Sequence, residues 1–485
     1  MEILAASLVA GHYLLLISLC IFGAHRFFLT VLAVRKQTAP ETTHRFEELP
    51  LVTVQLPIYN EKFVVRRLLD AAAALDYPRE RLQIQVLDDS TDESVELVAE
   101  LVAGHVANGV WMEHVRRVDR QGYKAGALQM AMDDAKGDFI AIFDADFVPD
   151  TGFLQRVIHH LADPSVGMVQ TRWDFINRND DLLSKLQGIM LDAHFAIEQS
   201  SRFATNTFFN FNGTAGVWRR QAITDAGGWE ADTLTEDLDL SYRAQMAGWR
   251  FVYLRDERCP SELPGDMNAF KSQQHRWVKG GIEVMRKLLG RIWRAPTTRH
   301  QKIEATLHLA SNLSHFLILI DCVFFLLPAI LVRQSIFPYP PIWIDLLFFF
   351  FAGLSHMFFY AVGQYVLGRR SLRHIYQIPA LLGASIGLSV NNGRAVWEAL
   401  VGHVSGFVRT PKQGDSVSST ASFYVAKMPN LGRVVEFALG IAYTAAALWC
   451  FASGLYVVLP FLVMFAFGFL FTSLARATPR QVAAA

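Results

Sequence analysis

The sequence predicts an α/β domain of alternating strands and helices set between membrane-spanning helices. Three observations predict it. The 485-residue chain is 52% hydrophobic and 19% charged, too apolar and too poor in charge for a wholly soluble protein. Long apolar runs crowd both ends of the chain. From residue 51 to about 293, short apolar runs rich in branched residues (51–56, 84–87 and 139–143) alternate with helical patterns (62–75, 92–102 and 125–134). That alternation argues for βαβ units, a parallel sheet and right-handed crossovers. Formal net charge is zero, so nothing global points to nucleic acid. Cys20, Cys259, Cys322 and Cys450 fit no CxxC or Cys/His spacing, which argues for reduced thiols and against a disulfide framework or a zinc site.

Residues 4–24 contain no Asp, Glu, Lys or Arg, and are long enough to cross a hydrocarbon core of roughly 30 Å. Arg26, Arg35 and Lys36 follow the run, the reverse of the charge order in a cleaved signal peptide. Residues 1–36 are therefore expected to be an anchor whose C-terminal end lies in the cytosol. The soluble domain is expected over 50–300, and 301–485 returns to the membrane, with spans at 307–331, 342–367, 435–451 and 455–474. Residues 375–403 are expected to lie at the interface or re-enter, ending in an amphipathic 394–403, and a loop follows at 404–420. Basic clusters at Arg369, Arg370, Arg373 and His374, and at Arg476 and Arg480, share the domain's side only if 375–390 does not cross singly. Five crossings result, with six as the alternative. His308, His315 and Asp321, inside the second span, are candidates for a polar channel or for pairing with neighbouring helices.

In open α/β sheets ligands bind beyond the C-terminal ends of the strands, and polar clusters stand there. Tyr59, Asn60 and Glu61 follow the first strand, and Asp88-Asp89-Ser90-Thr91 the second. An Asp at the latter point either accepts hydrogen bonds from a nucleobase or caps the next helix. Asp144 and Asp146, at i and i+2, can reach one hard cation, Mg²⁺ or Mn²⁺, together with a diphosphate, although such a pair is more often a solvated turn. Lys124 opens a helix where a phosphate would also meet backbone amides, or it is simply solvated. Asn212-Gly213 is a polar turn between bulky residues, either structural or the wall of an acceptor site. Asp237, in Thr235-Glu236-Asp237, offers a carboxylate for the proton of an acceptor hydroxyl, or sits on a solvent-facing acidic turn. In Gln273-Gln274-His275-Arg276-Trp277, Arg276 suits the charge of a departing diphosphate and Trp277 offers a flat face to a pyranose. The alternative there is an amphipathic surface helix with a packed Trp. Thr410 and Lys412, in Phe407-Val408-Arg409-Thr410-Pro411-Lys412, either fold over a bound diphosphate or belong to a basic juxtamembrane loop.

Order and spacing change that balance. Asp88-Asp89, Asp144-Ala145-Asp146, Thr235-Glu236-Asp237 and Gln273-x-x-Arg276-Trp277 follow one another, with 35 residues, 238 to 272, between Asp237 and Gln273. This resembles the D, D, D, QxxRW signature of membrane-embedded family 2 glycosyltransferases, the cellulose-synthase superfamily. The form Gln-Gln-His-Arg-Trp is most similar to the cellulose-synthase-like mannan and xyloglucan-backbone synthases and their bacterial relatives. The resemblance covers residues 51–280 closely, the spans by layout, and 407–412 as a gating loop in which Arg409 stands where the family has Val. It implies a GT-A (Rossmann-like) cytosolic domain inserted between transmembrane helices. Tyr59, Glu61, Asp88 and Asp89 would hold the nucleotide base, and Asp144 and Asp146 the diphosphate with its Mg²⁺ or Mn²⁺. Lys124, Thr410 and Lys412 would lie near the phosphates. Asp237 would be the general base, with Glu236 and Arg276 as its catalytic company. Gln273, Arg276 and Trp277 would form the leaving-group and acceptor end, with Asn212 and Gly213 beside the acceptor, where cellulose synthases have Phe-Cys-Gly.

The activity so implied is inverting, processive and metal-dependent: polymerisation of a β-glucan, β-mannan or glucomannan from a nucleotide sugar, with UDP-glucose favoured over GDP-mannose. The product would be threaded through an integral protein of the plasma (inner) membrane. The alternatives are addition of one sugar to a lipid acceptor, as ceramide glucosyltransferases do, and a non-catalytic scaffold or transporter. Expected partners are the donor, the growing glycan or a lipid acceptor, and membrane lipids, with no nucleic acid.

Overall fold

A computed structural model describes residues 2–36, 40, 42, 44–336, 347–404, 406 and 430–475. Seven strands form one sheet: β1 (Val52–Ile58), β2 (Leu82–Asp88), β3 (Met112–Val115), β4 (Phe139–Ile142), β5 (Val166–Phe175), β6 (Gly216–Arg219) and β7 (Arg250–Ser261). Their order is β3-β2-β1-β4-β6-β5-β7. β1 pairs in parallel with β2 and with β4, β2 with β3, and β5 with β7. The expected parallel sheet is therefore mixed, because β6 runs antiparallel to both β4 and β5. The chain reaches β6 from β5 by way of helical segments ending at Ala204 and a turn with positive φ at Gly213 and Ala215, where the Ala215 amide donates to Ile142 O (2.9 Å), and β6 then runs between β4 and β5 against the direction of both.

Alternation along the strands divides the core. Phe139 and Ala141 of β4 pack on one face with Leu68 and Leu69 of the helix Val65–Ala73 and Val98 of the helix Ser94–Ala107. Ile140 and Ile142 pack on the other with Leu128 of the helix Tyr123–Ala131, Trp218 and Leu240. Fully burying each such Leu or Ile contributes about 1.5–3 kcal/mol. Thr53, Gln55, Gln83 and Gln85 are buried within β1 and β2 and bond across the pair: Thr53 Oγ1 donates to Gln83 Oε1 (2.8 Å) and Gln55 Nε2 to Gln85 Oε1 (3.1 Å). β1 lies between β2 and β4, so successive connections diverge there and open a crevice at the C-terminal ends of β1 and β4.

Among the described residues four helices are long and apolar enough to cross a membrane: Glu2–Arg35, Leu313–Val332, Leu431–Ala452 and Tyr456–Leu474. The expected span at 342–367 is not one of them. Residues 342–346 lie outside the described residues; the rest is helical and packs on the first helix, Phe27 meeting Phe350 and Phe358 at centroid distances of 5.4 and 5.7 Å. The second span starts at Leu313 rather than 307, since the chain breaks after the helix Arg299–Ala310. His308 thus belongs to the earlier helix, where its Nδ1 meets the Tyr242 hydroxyl at 2.7 Å. Asp321 meets His12 Nδ1 at 2.8 Å, so these two polar groups have partners on neighbouring elements. Residues 375–403 form the helices Leu372–Gly387 and Ser389–Leu400, and most of the loop 404–420 lies outside the described residues.

Candidate active site

A polar cleft opens at the crevice. Tyr59, Glu61, Asp89, Lys124, Asp144, Asp146, Asn212, Gly213, Glu236, Asp237, Gln273, Arg276 and Trp277 all line it. A second hollow lies among the apolar helices, lined by Phe27, Phe350, Met357 and Phe358 with Ser355 as its one polar side chain, and offers no chemistry. Thr410 and Lys412 lie outside the described residues.

Asp88 and Asp89 part company. Asp88, at the end of β2, is 1% exposed; its Oδ1 accepts from the Ser90 amide (2.9 Å) and its Oδ2 meets His114 Nε2 (2.8 Å). Burial alone would raise its pKa, but those hydrogen bonds outweigh burial and hold it below the usual carboxylate range. It braces the loop from beneath and does not line the cleft. Asp89 does, and is gripped by Arg117 through Nε–Oδ1 (2.7 Å) and Nη2–Oδ2 (2.6 Å), with Arg120 Nε 3.7 Å away. The Arg120 guanidinium lies 3.3 Å from the centroid of Tyr59, a cation–π contact at the cleft mouth. The sequence reading missed Arg117, Arg120 and His114. The signal for the two arginines was the basic run between β3 and Gly122, and His114 lies within β3 itself; composition alone connects neither to Asp88 or Asp89.

At the centre, Lys124 Nζ donates to Asp144 Oδ1 (2.5 Å) and to Gly213 O (2.9 Å). Burial would lower the lysine's pKa, but Asp144, Glu236 and Asp237 outweigh it and the net shift is upward, so Lys124 is a fixed cation. The Asp144 amide donates to Thr214 Oγ1 (2.9 Å), and Asp146 Oδ2 accepts from the Glu262 amide (3.2 Å). Gly213 sits at φ +82°, and a Cβ there would stand 3.0 Å from Asp237 Oδ2 and 3.5 Å from Lys124 Nζ. Glycine is needed both for that backbone region and for the room.

Asp237 lies in the first turn of the helix Glu236–Met246, where its Oδ1 accepts from the Leu238 amide (2.8 Å). Burial and then the neighbouring Glu236 push its pKa up to about 7, against the pull of Lys124. The helix Met267–Arg294 crosses close by, since a Cβ at Gly280 would come within 2.6 Å of the Thr235 side chain. Gln273, Arg276 and Trp277, at i, i+3 and i+4, share the face of that helix turned to the cleft. Desolvation lowers the Arg276 pKa, opposed by Glu236, Asp144, Asp237 and Asp146, so this guanidinium feels all four acids. Trp277 packs near Trp173 (centroids 6.4 Å). Among the described residues the one tight three-carboxylate cluster, Glu230, Asp232 and Asp239, surrounds the Lys287 ammonium at 2.5, 2.6 and 3.0 Å and is an ion-pair cluster.

Residues 50–280 match the family described as Glycosyltransferase like family 2. A "Probable glucomannan 4-beta-mannosyltransferase 4" of Oryza sativa subsp. japonica is 46% identical over 244 residues, covering 49% of this chain and 44% of that protein. "Glucomannan 4-beta-mannosyltransferase 2" of Arabidopsis thaliana is 43% identical over 272 residues, covering 54% and 51%. The chain spans about half the length of the curated relatives it matches. Among solved structures, the mannosyltransferase PcManGT from Pyrobaculum calidifontis, in complex with GDP-Man and Mn²⁺, superposes with a TM-score of 0.55 at 20% identity, covering 82% of this chain and all of that one, a likeness of fold. Residues 50–280 thus form a domain that matches the family 2 glycosyltransferases, with a GT-A-like sheet flanked by apolar helices.

Proposed function

We propose that the chain is an inverting, processive glycosyltransferase that extends a β-1,4-linked mannan or glucomannan from a mannosyl nucleotide, GDP-mannose, and passes the product through its own helices in the plasma (inner) membrane. One observation carries the chemistry: a single cleft gathers the carboxylate of Asp237, the two cations Lys124 and Arg276, and the two strand-end carboxylates Asp144 and Asp146. The names of the relatives supply the sugar, and so move the donor from UDP-glucose to a mannosyl nucleotide. Arg26, Arg35 and Lys36 at the domain end of the first helix support a cytosolic domain.

In this reading the base lies against Tyr59, Glu61 and Asp89, and the diphosphate faces Lys124 and Arg276. Asp144 and Asp146 are hard oxygen donors, and Asp144 already attracts one cation, the Lys124 ammonium. Together with diphosphate and water the two carboxylates could hold one Mg²⁺ or Mn²⁺. A bound ion would neutralise charge on the departing diphosphate. Asp237 removes the proton of the acceptor hydroxyl as its oxygen attacks the anomeric carbon; the bond to the diphosphate oxygen breaks and Arg276 faces the charge left on it. A single displacement turns an α-linked donor into a β-linkage. A carboxylate of pKa near 7 is a stronger base than an ordinary Asp and is still substantially ionised at neutral pH.

The test is nucleotide release by purified full-length protein in lipid nanodiscs, given GDP-mannose, GDP-glucose or UDP-glucose with Mn²⁺ or Mg²⁺, followed by linkage analysis. Release of GDP from GDP-mannose with a 4-linked mannosyl polymer is expected. UDP release from UDP-glucose alone overturns the donor, a single-sugar glycolipid overturns processivity, and no release from any donor overturns the enzyme.

A further inference from the structure

The helix Leu182–Ala193 continues into one π-helical stretch, His194–Gln199, before Ser200–Ala204 resumes it. π-bulges are frequent at functional sites, and this one brings two side chains to Asn212 in the cleft wall. Asn212 Nδ2 donates to His194 Nε2 (2.9 Å), while Gln199 Nε2 donates to Asn212 Oδ1 (2.6 Å) and to Asn210 O (2.8 Å). The far side of the ring, His194 Nδ1, meets Glu198 Oε2 at 2.9 Å. The amide NH₂ only donates and an ionised carboxylate only accepts, so the partners assign a neutral imidazole with its proton on Nδ1. Glu198 is itself steadied by Arg202 (3.9 Å) and Arg26 (4.0 Å).

Asn212 is thereby fixed at both ends, since reversing its amide would set donor against donor at Gln199. One Nδ2 hydrogen and one Oδ1 lone pair remain for the cleft. They stand next to Gly213, whose Cα faces Asp237 Oδ2. A donor and an acceptor side by side next to a base match a sugar hydroxyl pair. We propose that His194, oriented by Glu198, is a positioning residue for the acceptor: it locks the Asn212 amide so that the acceptor sugar is held with its attacking hydroxyl at Asp237. The inference rests on the glycosyltransferase reading above and adds the residues that set acceptor register.

The test uses the full chain in nanodiscs with donor at saturation and a β-1,4-mannooligosaccharide as acceptor. His194→Leu keeps bulk and removes both hydrogen bonds; His194→Gln keeps one donor and one acceptor. With His194→Leu the acceptor KM should rise about fivefold, the loss expected for a hydrogen bond of about 1 kcal/mol, while the donor KM and donor hydrolysis in the absence of acceptor stay unchanged. His194→Gln should recover most of the acceptor affinity. An unchanged acceptor KM in His194→Leu, equal changes in donor and acceptor KM, or a His194→Gln as impaired as His194→Leu would each overturn the proposal. Should His194→Leu fail to fold, His194→Asn, too short to reach Asn212, takes its place with the same acceptor-only defect expected. Wild-type protein that turns over no donor defeats the underlying reading instead, and is told apart by that result alone.

Discussion

Lys271 stands two residues before Gln273, and its ammonium directs its three N–H groups to Glu436 Oε1 (2.7 Å), Glu436 Oε2 (2.5 Å) and Thr472 O (2.9 Å). The two side chains are 2% and 1% exposed. This clasp joins the helix that carries Gln273, Arg276 and Trp277 to the last two apolar helices. Lys271→Met keeps the bulk but strands a buried carboxylate, which typically costs about 3–5 kcal/mol. Adding Glu436→Met removes the stranded charge, so the double variant should recover to near wild-type stability instead of losing the sum of the two singles. The assay is thermal unfolding of the detergent-solubilised protein, read together with nucleotide release. A Lys271→Met variant that melts with the wild type, or a double variant whose loss equals the sum of the two singles, refutes the clasp.

Two further outcomes follow from the site geometry. Gly213→Ala places a methyl at φ +82° and 3.0 Å from Asp237 Oδ2. Its backbone cost is about 1–2 kcal/mol, and displacing the base by a fraction of an ångström should lower kcat on the order of tenfold while leaving donor affinity intact, as titration calorimetry with GDP would check. Because Asp237 is raised to about 7 and must be ionised to accept a proton, kcat/KM, which reports the free enzyme, should fall as pH drops below about 7; a pH–rate profile flat down to pH 5 contradicts the assignment.

Much of this was legible in the sequence because strands declare themselves by branched apolar runs and strand ends by polar residues. β1, β2 and β4 fall within two residues of the runs at 51–56, 84–87 and 139–143. The acids and the Gln-x-x-Arg-Trp face converge on one cleft because each sits at the end of a parallel strand or on one face of a helix. What stayed hidden depends on neighbours distant in sequence. Adjacent residues at a strand end point to opposite sides, so only one of Asp88 and Asp89 reaches the cleft, and nothing in the pair itself says which. The reversal of β6 follows a turn at Gly213–Ala215 that reads as any polar loop. His308 looked like a membrane residue because an apolar pattern runs through 307–331, whereas the chain breaks at Ser311-Asn312 and hands it to Tyr242. His194 lies 18 positions before Asn212 in an otherwise ordinary helix and is tied to it by the π-helical stretch.

The most direct test of the central claim is Asp237→Asn, nearly isosteric and unable to take a proton. With GDP-mannose and Mn²⁺ the variant should bind GDP as the wild type does and melt at a similar temperature, yet its rate of mannosyl transfer should fall by about 10²–10⁴-fold. Transfer at the wild-type rate would contradict the account.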